Sequence, residues 1–254
     1  MRALNAVVFI ATWYEKDYSR MNHSGVNNDS HVSSVKSFAE EIQARIHALP
    51  ELKTQDLRAV RRDFSKRLAK ADQDFVMKLA MNLLKLSAFE FRFIAYELLQ
   101  HHRPTVSSLD AGTLEKLGDG MNSWAVVDCF ACYLAGPAWR ERQIEDSVVR
   151  RWSRSRDRWW RRAALVATVP LNNKTRGGAG DSLRTLDICR LLLDDRDPMV
   201  VKAMSWALRE LAKRDALPVS EFIRKERDRL AQQVLREVKN KLATGLKNPR
   251  RKQE

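Results

Sequence analysis

The chain has 254 residues, 44% of them apolar, enough for one sizeable domain with a buried core. It carries 46 Lys and Arg against 32 Asp and Glu, a net charge of +14, so its folded surface should attract a polyanion. Only 9 Gly and 7 Pro argue against a turn-rich β-sandwich or barrel, 3 Cys exclude a fully paired disulfide framework and suit the cytoplasm, and no run approaches the ~18 apolar residues of a membrane span.

Along the chain, Ala3 to Trp13 is apolar behind Arg2 but short, broken by Asn5, and without a small-residue cleavage site. Tyr14 to Ser34 turns polar and loses any hydrophobic period, so residues 1–33 are expected to form a flexible, uncleaved N-terminal extension. From residue 34, segments with helical spacing follow one another, interrupted at Pro50, Pro104, Gly118–Gly120, Gly136-Pro137, Asn172–Gly180, Asp197-Pro198 and Pro218, with no strand pattern. An all-α domain is predicted over residues 34–245, and residues 246–254, with Lys247, Arg250, Arg251 and Lys252, read as a solvated basic tail.

The interruptions pair the helices into units of roughly 40 residues, the period of an α-solenoid of HEAT-like repeats. Such pairs bury their faces by stacking and leave a concave surface free, here a basic groove. An irregular helical bundle is the alternative.

Helical-wheel placement then sorts the residues that carry chemistry. In Met121–Ala135, Val126, Phe130 and Tyr133 share one arc, and Trp124, Asp128, Ala131 and Ala135 the opposite one. Asp128, one turn from Trp124, is either a partly desolvated catalytic group or half of a structural ion pair. Arginine is concentrated in Arg140, Arg142, Arg150, Arg151, Arg154, Arg156, Arg158, Arg161 and Arg162, interleaved with Trp139, Trp152, Trp159 and Trp160. Guanidinium groups can hold phosphates, and most of those indoles are expected in the core. Arg162 has apolar neighbours on both sides, so it must find an anion, either Asp128 or a phosphate. In Asp197–Lys213, Val200, Met204, Leu208 and Leu211 form the core stripe; Lys202, Trp206, Arg209 and Lys213 lie nearly opposite, within an arc of roughly 60°. An aromatic in a cationic stripe suits nucleic acid, unless a neighbouring helix covers it.

Cys129 and Cys132 form a lone CxxC on an apolar helix and read as core residues rather than metal ligands; no metal site is expected. His101 and His102 close a helix, where a C-terminal charge preference accounts for them. No phosphate-loop, dinucleotide, HExxH or GxSxG motif is present.

Three segments together resemble the AlkD-type DNA alkylation repair glycosylases. They are Asn122-Ser123-Trp124-Ala125-Val126-Val127-Asp128, then Trp160-Arg161-Arg162-Ala163-Ala164-Leu165-Val166, then Lys202-Ala203-Met204-Ser205-Trp206-Ala207-Leu208-Arg209-Glu210-Leu211-Ala212-Lys213. The likeness covers roughly residues 60–215, and the last segment is its most specific part. It implies a HEAT-like protein that grips damaged duplex DNA and hydrolyses the bond between a cationic N3- or N7-alkylated purine and deoxyribose, with the lesion still stacked and no metal or organic cofactor. By it, Asp128 takes the catalytic position, Trp124 and Trp206 those of the active-site tryptophans, and Arg162 that of the DNA-contacting arginine. Arg158, Arg161, Lys202, Arg209 and Lys213 are the expected further DNA contacts of a protein acting as a monomer.

The chemistry suits these residue types. An alkylated purine is already a good leaving group, so the sugar, which gains oxocarbenium character, is what needs help. A carboxylate can stabilise that charge and orient water, and indoles can hold the cationic base. Two departures limit the transfer: Ser34–Pro50 lacks the family's Gly-containing turn, and the Asn172–Gly180 loop, with Lys174 and Arg176, is longer than usual, either a phosphate contact or an insertion. A HEAT-like module that binds branched or bent DNA without cleaving it, and a scaffold for an acidic protein, are the competing functions.

Overall fold

The computed structural model describes residues 35–249; the expected extension over 1–33 and residues 250–254 of the tail lie outside them. No strand occurs among the described residues, and the chain is all-α. Two compact units divide after Ser108.

The first unit holds α1 (Val35–His47), α2 (Thr54–Leu68), α3 (Gln73–Leu84), α4 (Phe89–Gln100) and the short α5 (Arg103–Ser107). Asp72 caps α3, its carboxylate accepting from Phe75 N at 2.7 Å. First helices pack on one another, α1 on α3, and second helices likewise, α2 on α4. Phe93, Ile94, Tyr96 and Leu99 fill the centre with Ile42, Phe64 and Leu79. Glu97 is 2% exposed and lies 2.8 Å from Arg58 Nε and 3.1 Å from Arg61 Nε, which ties α4 to α2. The two histidines serve differently from the charge preference expected of them. His101 places Nδ1 2.8 Å from the Glu97 carbonyl, satisfying a helix-end acceptor, and His102 is buried, with Nδ1 2.7 Å from Thr105 Oγ1 and Nε2 3.1 Å from the Ala71 carbonyl.

The second unit runs α6 (Ala111–Gly118), α7 (Trp124–Phe130), a π-helical turn (Ala131–Ala135), α8 (Gly136–Arg140), α9 (Asp146–Ser153), α10 (Arg158–Val166), α11 (Val169–Asn172), a 3-10 turn (Lys174–Arg176), α12 (Ser182–Leu191), α13 (Pro198–Leu211), α14 (Ala216–Lys225) and α15 (Gln232–Thr244). Again helices come in pairs, α6 with α7, α9 with α10, α12 with α13 and α14 with α15. The second members stack α7 on α10 on α13 on α15, which is the solenoid principle the sequence period predicts. Side chains of Ser123, Asp157 and Asp197 cap α7, α10 and α13, so these three helices of the stack start at a polar residue, whereas α15 follows Ala231 without a side-chain cap.

One expected break is absent. Gly136-Pro137 does not end a helix; the π turn leads straight into α8. The wider turn relieves the clash between a proline ring and the carbonyl four residues back. Gly136 is there for closeness: a Cβ would meet the Ala167 carbonyl oxygen at 2.6 Å.

Candidate active site

Asp128 stands on α7, where Val126, Val127, Cys129 and Phe130 turn inward and leave it at the edge of the core, its side chain 13% exposed. Arg162, on α10 between α7 and α13, is only 6% exposed. A buried guanidinium without a counter-charge would cost several kcal/mol. Arg162 avoids that by donating Nε to Asp128 Oδ1 at 2.9 Å and Nη2 to Asp128 Oδ2 at 2.8 Å. A third donor, Nη1, reaches the Met199 carbonyl in the first turn of α13 at 2.6 Å. The two partners the sequence left open for Arg162 are thus resolved in favour of Asp128, and its guanidinium is committed to the protein rather than offered to solvent. Burial pushes the Asp128 carboxyl above the ordinary aspartate range, and Arg162, then Arg176, pull against it.

Trp124 lies one turn before Asp128 and is half-buried. Trp206 is half-buried on α13, two turns beyond Met199 and on the same side of the helix as Lys202. Neither indole has a hydrogen-bond or ring partner among the described residues. The core tryptophans are different. Trp139 donates Nε1 to Asp146 Oδ1 at 2.8 Å and Trp152 donates to Glu115 Oε1 at 2.9 Å. Trp159 and Trp160 are only half-buried, so two of these four indoles rather than most lie in the core; the Trp160 ring meets Trp152 at a tilt with centroids 5.2 Å apart.

The cationic residues divide. Lys202 is exposed and has no carboxylate partner among the described residues. Arg158 is 51% exposed, with its guanidinium over the Trp159 ring and 3.6 Å from Asp197. Arg161, by contrast, is bound to Asp195 at 2.6 Å and to the carbonyls of Ser155 and Arg156. Arg209 is not on an open stripe: it is 19% exposed, 3.2 Å from Ser205 Oγ and 4.0 Å from Glu237 of α15. Lys213 donates to Glu210 at 2.7 Å. The helical wheel places residues around one axis and cannot show that α15 covers this flank of α13.

The Asn172–Gly180 loop is tied down at several points. Asn172 is buried and donates Nδ2 to Thr168 O at 3.0 Å and Thr185 Oγ1 at 2.8 Å, and Arg214 donates to the Asn172 and Gly178 carbonyls. Asn173 reaches Glu210 at 2.9 Å, and Arg140 Nη1 holds the Arg176 carbonyl. The loop sets the Arg176 guanidinium 5.5 Å above the Tyr133 ring, in the π turn that follows Asp128. Cys132, in that same turn, is buried, and desolvation pushes its thiol up to about 11; with Cys129 it is a core residue, as expected. Sequence reasoning missed the Met199 carbonyl, Glu237 and the Arg176–Tyr133 contact. A backbone acceptor leaves no trace in residue identity, and the other two lie across long sequence separations.

The arrangement offers one carboxylate at the edge of an apolar core, fixed in plane by a two-point ion pair, on a stack of helices that also carries two unpartnered indoles and an exposed lysine. The sequence model of one family, described as DNA alkylation repair enzyme, matches residues 45–242. A comparison with curated proteins finds no match.

Proposed function

Because this chain belongs to the DNA alkylation repair enzyme family, and so serves the repair of alkylated DNA, we propose that it is a DNA glycosylase that hydrolyses the N-glycosidic bond of cationic N3- or N7-alkylated purines in duplex DNA. The observation that carries this reading is the Asp128 carboxylate, held by two Arg162 donors yet still reaching the surface of its helix stack. Phosphate binding gains nothing from a carboxylate there; a sugar developing positive charge does.

Asp128 faces the sugar as the bond to the base breaks, stabilises the oxocarbenium character and orients the incoming water. Arg162 acts as its positioning residue, since a two-point contact fixes the plane of the carboxylate as well as its place. Trp124 and Trp206 attract the cationic base through their π faces. Lys202 and Arg158, the exposed cations of α13 and α10, take phosphates, while Arg161, Arg209 and Lys213 hold the helix ends and flanks in place.

The test is release of 7-methylguanine or 3-methyladenine from methylated duplex DNA by purified protein, with Asp128→Asn beside it. Release that disappears in the variant supports the reading. Binding with a steep salt dependence and no release by the wild type would make the protein a non-catalytic DNA-binding module.

A further inference from the structure

A second concave feature lies between α6, α9 and the start of α10: a cleft of about 540 Å³, enough for one small ligand. It is separate from the Asp128 site, because Trp160, which lines it, stands two residues before Arg162, about 200° around α10 from the ion pair. The indole is seated from behind. Its ring meets Phe130 at nearly a right angle with centroids 5.8 Å apart and Trp152 at 5.2 Å, and Gly118 makes room for it, since a Cβ there would meet Trp160 Cη2 at 2.5 Å. Held in this way it stays half-buried, with its outer part open to the cleft.

Polar groups of both signs line the same volume. Glu115 receives the Arg151 Nη2 and Trp152 Nε1 donors on Oε1 alone, and among the described residues nothing donates to its Oε2. Arg154 is exposed and has no acceptor among the described residues. The Ser155 hydroxyl accepts from Asp157 N at 3.1 Å and keeps its own proton to donate. The cleft thus joins an aromatic surface, a free anionic acceptor and two donors suited to an anion. Arg156 and Arg158 continue the connection from α9 into α10, both exposed.

From these groups we propose that the cleft binds one unpaired nucleotide of a DNA strand, with a base that carries an exocyclic amine, as adenine, cytosine and guanine do and thymine does not. The base lies on Trp160 and donates its amine to Glu115 Oε2, and its phosphate takes Arg154 and Ser155. A paired base is barred, because its neighbours cover its faces and its partner takes its amine. Arg158, Arg156 and Arg154, at every second residue, form a cationic run that leads a strand from the duplex to the cleft. An acidic peptide would also meet these arginines, but it gains nothing from a free carboxylate oxygen beside the indole. The proposal rests on DNA being the partner of this protein and not on base release.

The experiment measures, by fluorescence anisotropy with the full-length protein, the affinity for undamaged duplexes that are blunt or carry a short single-stranded tail of dA, dC or dT, with dAMP as competitor. Tails of dA or dC tighten binding about tenfold over the blunt duplex, and a dT tail about threefold. Ser147→Trp, at an exposed position on the rim, fills the cleft and removes the gain while blunt-duplex affinity stays. Arg154→Gln cuts the gain about threefold. Glu115→Gln, which puts an amide donor where the free acceptor was, moves the preference from dA and dC toward dT. Equal affinity for tailed and blunt duplexes, or a gain that survives Ser147→Trp, overturns the proposal. So does dAMP binding as tightly as a tailed duplex, which makes the cleft a site for free nucleotides, and so does a labelled glutamate-rich peptide that binds in a manner sensitive to Ser147→Trp while the tails add nothing. No arm needs turnover: a protein that binds the tails and releases no base loses the glycosylase reading alone, and one that releases base and ignores the tails loses only this proposal.

Discussion

Asp128 and Arg162, 34 residues apart in sequence, meet through two parallel hydrogen bonds of 2.9 and 2.8 Å, and the same guanidinium reaches the Met199 carbonyl at 2.6 Å. One side chain thus joins α7, α10 and α13 at the point where the carboxylate comes to the surface.

Asp128→Asn keeps the shape and removes the charge. Base release should fall at least about 100-fold, the scale on which removing a preorganised electrostatic contact acts. Affinity for undamaged duplex should stay or rise, because a negative charge leaves a surface that meets phosphates. Single-turnover release and fluorescence anisotropy measure the two separately.

Arg162→Ala leaves a largely desolvated carboxylate without its partner, and denaturant unfolding should show a loss of about 3–5 kcal/mol. The double variant Asp128→Asn with Arg162→Gln should lose less than the sum of the single changes, because neither buried charge is then stranded. Additive losses would mean that the pair is not coupled.

Trp124→Ala and Trp206→Ala should each lower turnover on cationic lesions by about tenfold, the equivalent of one cation–π contact in a partly dry site. Their affinity for undamaged DNA should change less, since the ring acts on the charged base. Equal losses in both measurements would mark the indoles as structural.

Glu237 is 4% exposed and accepts from Ser205 at 2.5 Å and Gln233 at 2.9 Å, with Lys247 at 3.4 Å. Burial raises its pKa, and these partners together outweigh burial, so the net shift is downward. A carboxylate with a lowered folded pKa contributes stability above its ordinary value, lost as pH falls through the lowered one. Glu237→Gln should cost about 1–3 kcal/mol at neutral pH and flatten the acid side of the stability profile, as thermal melts from pH 7 to 3 would show.

Gly136→Ala should destabilise the protein by about 1–3 kcal/mol, because the added methyl meets the Ala167 and Ala131 carbonyls at 2.6 and 2.9 Å, which are backbone atoms with little room to move. A melting temperature equal to wild type would show that the α8 contact relaxes.

Much of this protein was legible in the sequence because it depends on local rules. The interruption at Asp197-Pro198 and the apolar stripe of Val200, Met204, Leu208 and Leu211 specify a helix and its inward face without reference to the rest of the chain. The family segments likewise single out Asp128, Trp124, Trp206 and Arg162 as short runs of residue types. What the tertiary structure decided is which charges are spent. The positive field looked concentrated in Arg140 to Arg162, yet Arg150 is paired with Asp187, Arg151 with Glu115, Arg161 with Asp195 and Arg162 with Asp128. Arg209 turned out to lie against Ser205 and Glu237, and a loop that looked like an insertion holds Arg176 over Tyr133. Apart from Ser205, one turn before Arg209 on the same helix, these partners lie 28 or more residues apart along the chain and depend on which helix stacks on which, so no periodicity within one helix encodes them. Sequence determined the faces; stacking determined which charged groups on those faces remain free to act.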